Sequence, residues 1–224
     1  MNALLIAGTD TEVGKTVVTT ALMSYGQTYW PDRKLGLMKP VQTGLGDREL
    51  YHRLFQLDQT LEELNPIYLE APLAPPIAAQ REGRKVDLGL VWRAFEQLRQ
   101  KRDWVLLEAL GGLGSPVTAQ TTVADLAWDW RLPTVLVVPV KLGAIAQAVA
   151  NVALARQCRV HLRGIVFNCL RPDQALDELT PKELIESLTN VPVLGAIPYL
   201  EDPTDLGKLA EAAAGLDLER LWPL

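Results

Sequence analysis

The sequence predicts an α/β domain in which a mostly parallel sheet is covered by helices on both faces, giving three layers. Short apolar runs alternate with longer segments of helical spacing along the whole chain. The runs are continuously apolar, which is typical of strands buried on both faces of a parallel sheet. The 224 residues, 48% hydrophobic and 22% charged, suit a single domain over residues 1–224 with a large core.

Six apolar runs have the length and composition of buried strands. In chain order they cover residues 3–7, 35–39, 104–107, 134–138, 162–167 and 193–197. The third run is followed directly by an acid, Glu108, and the fifth by Asn168. Ligands of open α/β sheets bind at the carboxyl ends of the strands. We therefore expect the polar residues that follow these runs to form the functional site.

The segments between the strands have the spacing of helices. They cover residues 15–26, 48–57, 88–102, 144–156, 181–188 and 206–214. The clearest of them places Val91, Phe95 and Leu98 on one stripe. The proline-rich residues 66–76 lie between predicted helices, so they are interpreted as a loop inside the domain rather than a linker between domains.

Composition argues against several classes of partner. A net charge of −5 is a poor match for nucleic acid or an anionic membrane surface, which both favour dense Lys/Arg patches. The N-terminal run is short and has no basic segment before it, and no stretch reaches the ~18 apolar residues of a membrane helix. We therefore expect a cytoplasmic protein. Two cysteines, Cys158 and Cys169, suggest neither a disulfide framework nor a zinc site.

The strongest motif is GTDTEVGKT, residues 8–16, which follows a predicted strand and opens a predicted helix. This is the setting of a P-loop, in which backbone N–H groups and a helix N-terminus bind phosphates. Gly14 allows the close approach of a phosphate, Lys15 supplies charge to the outer phosphates, and the Thr16 hydroxyl is a ligand for Mg²⁺. Thr9 stands where the first glycine is usual, so the spacing differs by one residue. The motif predicts a P-loop NTPase fold.

Three further charged residues follow predicted strands or turns. Glu108 is suited to hold magnesium beside a P-loop, or is a solvated strand end. Asp47, after Gly44 and Gly46, is either a second magnesium ligand or a helix N-cap, and the residue pattern alone favours the cap. Lys39 would lie near the phosphates, where two lysines stabilise transferring charge, although an exposed loop lysine is the plainer interpretation.

Taken together, these segments resemble the dethiobiotin synthetase family. The shared features, in the same order over essentially the whole chain, are GTDTEVGKT, KPVQTG (residues 39–44), an acid-ending strand followed by two glycines, VKLG (140–143) and a late strand ending in Asn168. The resemblance implies an ATP- and Mg²⁺-dependent ligase. In that reaction an amine of 7,8-diaminopelargonic acid takes up CO₂ to form a carbamate, ATP phosphorylates the carbamate, and the second amine expels phosphate and closes the cyclic urea of dethiobiotin.

The resemblance also implies roles for individual residues. The catalytic residues would be Lys39, Lys15 and Thr11, and the substrate would contact Thr43, Thr11, Lys39 and Gly143. ATP would be bound by Glu12, Val13, Gly14, Lys15, Thr16, Val17, Asp47, Glu108, Asn168, Cys169, Pro198, Tyr199 and Leu200. Thr16, Asp47 and Glu108 would hold Mg²⁺. Asn168 would bind adenine, since its amide offers a donor and an acceptor together, although a turn residue is the alternative.

The family resemblance further implies a homodimer with the substrate site at the subunit interface. There the amides at the start of the helix after Gly143 would take the substrate carboxylate from the partner subunit. Ala146 stands where the family often has asparagine, so only backbone capture would remain.

Two rival functions use the same motif. A small-molecule kinase would bring several arginines on a lid, for which Arg81 and Arg84 are the compact candidates. A partition-type ATPase switch would carry a signature lysine five residues before Lys15, where this chain has Asp10.

Overall fold

The computed structural model describes residues 2–222, and its centre is a six-stranded sheet. The strands are β1 (Ala3–Gly8), β2 (Leu35–Met38), β3 (Val41–Thr43), β4 (Ile67–Leu69), β5 (Trp104–Gly112), β6 (Thr134–Pro139), β7 (Leu162–Asn168) and β8 (Val193–Ile197). The main sheet has the order β2-β5-β1-β6-β7-β8, with every neighbouring pair parallel, and β3 pairs with β4 in a separate two-stranded parallel sheet.

Helices cover both faces of the main sheet. The longer ones are α1 (Lys15–Tyr29), α2 (Asp47–Leu54), α4 (Pro75–Arg81), α5 (Leu88–Lys101), α6 (Val123–Asp129), α7 (Ala144–Gln157), α9 (Lys182–Thr189) and α10 (Leu206–Ala214). The short ones are α3 (Leu61–Leu64), α8 (Leu176–Leu179) and α11 (Leu218–Leu221). Among residues 2–222, no helix has the length and apolar character needed to cross a membrane.

The core is divided by the sheet into two apolar clusters. Successive strand side chains point to opposite faces, so Leu5 and Ala7 of β1 pack with α5, α6 and α7, whereas Leu4 and Ile6 pack with α1 and α10. All four side chains are buried. This arrangement is the predicted three-layer α/β fold, and that prediction is confirmed.

The structure differs from the predicted elements in several places. Strand β3 and helices α3, α6, α8 and α11 were not predicted. The strand expected to end before Glu108 continues to Gly112, so Glu108 is an interior residue of β5, paired with Ile6. Residues 66–76 are not a plain loop, because they contain β4 and the start of α4. A three-residue strand shows too little alternation to be recognised, and β4 forms only by pairing with the distant β3.

Candidate active site at the carboxyl edge of the sheet

The loop after β1 forms a turn at the start of α1. Gly14 is the N-cap of α1 and has a left-handed backbone with φ +95°. Lys15 is buried, and its ammonium donates to the backbone carbonyl of Asp10 at 2.8 Å. The first turn of an α-helix leaves its N–H groups without intrahelical acceptors. The turn therefore combines free amides, a helix N-terminus and a lysine, which together bind anions.

Asn168 lies against this turn from the end of β7. It is buried, and its amide nitrogen donates to the backbone carbonyl of Val13 at 3.3 Å. A Cβ added to Gly14 would stand 2.0 Å from that same nitrogen. The amide oxygen of Asn168 has no hydrogen-bond partner within residues 2–222. Only glycine fits at position 14, and Asn168 retains an unused acceptor beside the turn.

Lys39 lies at the centre of a buried ionic cluster. Its ammonium is 2.5 Å from Oδ2 of Asp47 and 2.6 Å from Oε1 of Glu108, and the residue is 4% exposed. Burial alone would lower the pKa of Lys39, but the ion pairs with Glu108 and Asp47 raise it above its ordinary value. Burial opposes ionisation of Asp47 too, yet Lys39 and the Thr16 hydroxyl lower the pKa of that carboxyl. Both shifts favour the charged form of the Lys39–Asp47 pair.

The P-loop hydroxyl joins the same cluster. Oγ1 of Thr16 lies 3.1 Å from Oδ1 of Asp47 and 3.2 Å from Oε1 of Glu108. The Tyr51 hydroxyl, wholly buried, donates to the other oxygen of Glu108, Oε2. Burial and the nearby Glu108 and Asp47 carboxylates raise the pKa of Tyr51 well above its ordinary value, so it stays a donor. Each oxygen of the fully buried Glu108 carboxylate thus has a partner.

Three plainer interpretations from the sequence are wrong. Glu108 is not a solvated strand end, because it is 0% exposed inside β5. Asp47 is not the N-cap of α2, because Gly46 takes that position and Asp47 is the first helical residue. Lys39 is not an exposed loop lysine, because β2 ends at Met38 and directs it into the ionic cluster.

The cluster and the P-loop open into one cleft of about 390 Å³. Residues from the loop after β1, the segment after β2 and the end of β5 line it. They are Thr11, Glu12, Gly14, Lys15, Thr16, Lys39, Gln42, Thr43, Leu45, Asp47, Glu108, Leu110 and Gly111. Burial lowers the pKa of Lys15 to about 8, and the neighbouring ammonium of Lys39 acts in the same direction, while the Glu108 carboxylate opposes the change. A phosphate in this cleft would restore full charge to Lys15.

Other residues named from the sequence lie outside the lining of this cleft. Val13 is buried beneath the P-loop and Val17 packs on the core beside it. Asn168 ends β7 and Cys169 follows it, while Pro198, Tyr199 and Leu200 follow β8. The last residues of these two strands are paired in the sheet. The paired ends of β7 and β8 therefore border the P-loop through Asn168. Gly143 is the N-cap of α7, at φ +87°, after β6.

The oxygen atoms of the cluster fit a magnesium ion. Thr16, Asp47 and Glu108 bring a hydroxyl and two carboxylates together, and hard oxygen donors are what Mg²⁺ prefers. Within residues 2–222 no group of three or more His, Cys, Asp or Glu side chains forms a metal site. That is compatible with Mg²⁺, which is commonly bound through one or two carboxylates together with substrate phosphates and water.

Two residues of this region were not predicted. Gln42 is 3% exposed, and its amide holds the turn before α2 through Gly44 and Arg48. Tyr51 contacts Glu108 from α2. The signal for Tyr51 was its position four residues after Asp47, which puts both side chains on one helix face. Nothing in the sequence marks Gln42 beyond its place in the KPVQTG segment.

Comparison with known sequences identifies close relatives along the whole chain. A family described as an AAA domain matches residues 2–205. The ATP-dependent dethiobiotin synthetase BioD of Gloeothece citriformis is 59% identical over 100% of both chains. The enzyme of the same name from Synechocystis sp. is 51% identical over 97% of this chain and 94% of its own. The one from Bacillus subtilis subsp. natto is 30% identical over 91% and 90%.

Comparison with solved structures gives the same fold in distant proteins. A ParA family ATPase from Chlorobium tepidum superposes with a TM-score of 0.58 at 13% identity, covering 98% of this chain and 95% of its own. The cell division ATPase MinD of Pyrococcus furiosus superposes with a TM-score of 0.56 at 19% identity, covering 95% and 89%. At such identities the likeness concerns the fold alone.

Proposed function

Because the chain belongs to the ATP-dependent dethiobiotin synthetase family, we propose that its cleft closes the urea ring of dethiobiotin. The substrates are 7,8-diaminopelargonic acid, CO₂ and ATP, and the products are dethiobiotin, ADP and phosphate. The observation that carries the proposal is the meeting of two buried lysines, Lys15 and Lys39, in one cleft with a P-loop. We place this biosynthetic activity in the cytoplasm, where ATP is supplied.

The two lysines stabilise the negative charge that develops and moves during the reaction. Lys15, at the helix start, holds the outer phosphates of ATP. Lys39, from the end of β2, approaches the same space from the side of the ionic cluster and faces the carbamate and the transferring phosphoryl group. Preorganised positive charge in a water-poor site stabilises the transition state of phosphoryl transfer. The second amine then attacks the carbamate carbon, phosphate departs, and the amine proton passes to a carbamate or phosphate oxygen.

Hydroxyl groups orient the substrate. Thr11 is exposed on the P-loop and Thr43 is half-buried at the end of β3, and both line the cleft. Two hydroxyls fix the rotation of a carbamate that a single charge would leave free, which lowers the entropic part of the barrier. The adenine side is assigned to Asn168, whose amide oxygen lacks a partner in the described residues.

A magnesium ion would be held by Thr16, Asp47 and Glu108. When bound, Mg²⁺ neutralises charge on the phosphates of ATP. The three side chains would thereby also position the nucleotide. The Glu108 carboxylate is buried, so it keeps a fixed orientation only while its hydrogen bonds are made.

We also propose that the protein works as a homodimer. Leu142, which precedes the N-cap of α7, is 89% exposed, and this is unusual for a large apolar side chain. Ala146, at the expected asparagine position, is exposed on the first turn of α7. A partner subunit covering this helix start would bring the free amides of α7 to a substrate carboxylate.

The rival functions are less well supported. A kinase lid needs mobile arginines, but Arg84 donates to the backbone carbonyl of Tyr68 at 2.7 Å and pairs with Glu82 at 3.4 Å. The partition-type switch needs a lysine where the chain has Asp10, whose carbonyl instead accepts from Lys15.

The test is reconstitution. Purified protein is incubated with Mg-ATP, bicarbonate and 7,8-diaminopelargonic acid, and dethiobiotin is detected by mass. We expect product only when every component is present. A phosphorylated, unclosed product would favour a kinase, and no turnover of the diamine would exclude the proposed ligase.

Lys39→Ala tests the central lysine. We expect kcat to fall about 100- to 1000-fold, the loss typical of removing a group that stabilises transition-state charge, while ADP binding by calorimetry persists. The matched control is Lys34→Ala, an exposed lysine just before the same strand. Full activity of Lys39→Ala would remove Lys39 from the mechanism. Far-UV circular dichroism checks that the variant, which leaves two carboxylates without their counter-ion, is folded.

A further inference from the structure

Tyr51 is a buried polar residue that the proposed chemistry does not use. It is 0% exposed on α2, and its ring packs in the apolar cluster between the sheet and α1. Its hydroxyl donates to Oε2 of Glu108. A buried tyrosine hydroxyl needs a partner, but a backbone carbonyl would serve as well as a carboxylate. Burial alone therefore does not explain why the Tyr51 hydroxyl is paired with a carboxylate at the wall of the cleft.

Helix α2 contacts the ionic cluster twice. Asp47, its first residue, presents Oδ1 to Thr16 and Oδ2 to Lys39. Tyr51, one turn later on the same face, reaches Glu108. One rigid element thus carries one of the two carboxylates and fixes the other. A shift of α2 would move both of them together.

The two oxygens of Glu108 have different surroundings. Oε1 faces the cleft, at 2.6 Å from the Lys39 ammonium and 3.2 Å from the Thr16 hydroxyl. Oε2 is turned toward the core and has Tyr51 as its donor. Without that donor, the carboxylate would be buried with one oxygen unpaired, and it would rotate to recover a partner. Rotation would withdraw Oε1 from the cleft.

We propose that Tyr51 is a positioning residue, which holds Glu108 so that one carboxylate oxygen stays directed at the magnesium ion of the bound nucleotide. This inference rests on the proposed function, in which Glu108 is a magnesium ligand. Hydrogen-bond partners of metal ligands commonly change metal affinity by about 10- to 100-fold when removed. Tyr51 acts through Glu108 and touches neither nucleotide nor substrate.

The experiment measures metal binding rather than turnover. ADP is bound to the full-length protein, and Mg²⁺ is then titrated into the complex by calorimetry. For Tyr51→Phe we expect the Kd of Mg²⁺ to rise about 10-fold or more, while the Kd of metal-free ADP stays within about twofold. The control is Tyr29→Phe, at an exposed tyrosine on α1 whose hydroxyl has no carboxylate partner in the described part of the chain.

A variant at the end of the same helix separates positioning from packing. Phe55 is 1% exposed just after α2, in the same apolar cluster as Tyr51. Phe55→Leu should lower the denaturation midpoint without changing Mg²⁺ affinity. An unchanged Mg²⁺ Kd in folded Tyr51→Phe, or an equal rise in Phe55→Leu, would overturn the proposal.

A readout on the unmutated chain remains if Tyr51→Phe does not fold. The five tyrosines are labelled as 3-fluorotyrosine and assigned by replacing the other four in turn. The fluorine resonance of Tyr51 should shift when Mg²⁺ is added to the ADP complex, and the absence of a shift would contradict the proposal. These binding experiments contain no diamine. A negative result would therefore contradict the role of Tyr51 without contradicting the formation of dethiobiotin.

Discussion

At the scale of single residues, the cleft depends on charges that are buried in pairs. Glu108 has no exposed surface, and burying a carboxylate without partners is costly. The Lys39 ammonium and the Tyr51 hydroxyl offset that cost by engaging one oxygen each. The side chains of the site are thereby oriented before any ligand arrives, which is what preorganised electrostatic catalysis requires.

Gly14 gives the sharpest prediction at this scale. For Gly14→Ala we expect ADP affinity to fall about 10- to 100-fold, because a Cβ 2.0 Å from the Asn168 amide displaces that side chain and the φ of +95° is strained for alanine. The measurement is ADP titration calorimetry.

Gly83→Ala is the matched control for that variant. Its φ is +65°, and no atom of residues 2–222 lies within 4 Å of the added Cβ, so only backbone strain of about 1 kcal/mol is added. We expect its ADP affinity to be unchanged. Equal affinity losses in both variants would mean that the contact with Asn168 has no role.

At the scale of elements, the sequence predicted the strands of the main sheet and six of the longer helices, because each has its own apolar pattern. It did not predict α4 or α6. It also did not predict that β5 continues through Glu108. An acid normally ends a buried run, and the residues that allow this one to be buried lie 69 and 57 positions away, at Lys39 and Tyr51. Local patterns do not contain such partners.

The candidate site, like the fold, was predictable where a local pattern marks the residue. Residues carried by a motif, such as Lys15 and Thr16, were found from spacing, and Lys39 and Asp47 gained weight only through the family resemblance. Gln42 was missed because its task is to hold a turn, and many residues can hold a turn. Its amide joins Gly44 to the helix that begins at Asp47.

The segment from β3 to α2 therefore gives the prediction for this scale. Gln42→Leu removes hydrogen bonds from its amide to Gly44 and Glu49, and leaves the backbone N–H of Arg48 without its acceptor. We expect the free energy of unfolding to fall by about 1–3 kcal/mol, the cost of a buried unpaired group. The affinity for Mg-ADP should also fall, because Asp47 begins the displaced helix.

Urea unfolding and calorimetry measure both effects. Gln56→Leu, an exposed glutamine two residues beyond α2, should change the free energy of unfolding by no more than about 0.5 kcal/mol. If Gln42→Leu kept the stability of the parent protein, the turn would be held by other contacts.

At the scale of the whole molecule, the parallel sheet gathers segments that are far apart in the chain. The ends of β1, β2 and β5 are neighbours in the order β2-β5-β1, so the P-loop, Lys39 and the Glu108 region meet at one edge. The ends of β7 and β8 lie on the other side of β6 and border the P-loop through Asn168. Every residue that we assign to the nucleotide therefore comes from one chain, whereas the proposed carboxylate contact at α7 needs a second copy.

Leu142→Glu tests whether substrate binding needs two subunits while nucleotide binding needs only one. Light scattering should give about twice the chain mass of 24.7 kDa for the parent protein and a single chain mass for the variant, because a charge replaces the exposed leucine at the proposed interface. Dethiobiotin formation should fall about 100-fold or more, as expected when a substrate-orienting contact is lost. Mg-ADP affinity should stay within about twofold, because every residue assigned to the nucleotide comes from one subunit.

Tyr29→Glu is the control on the opposite face of the sheet, where an exposed aromatic side chain of α1 receives the same charge. It should remain dimeric and active, since α1 and α7 lie on different sides of the main sheet. A parent protein of single-chain mass would contradict the dimer itself. A monomeric Leu142→Glu variant with full activity would instead show that one chain binds the whole substrate, so that the carboxylate needs no partner subunit.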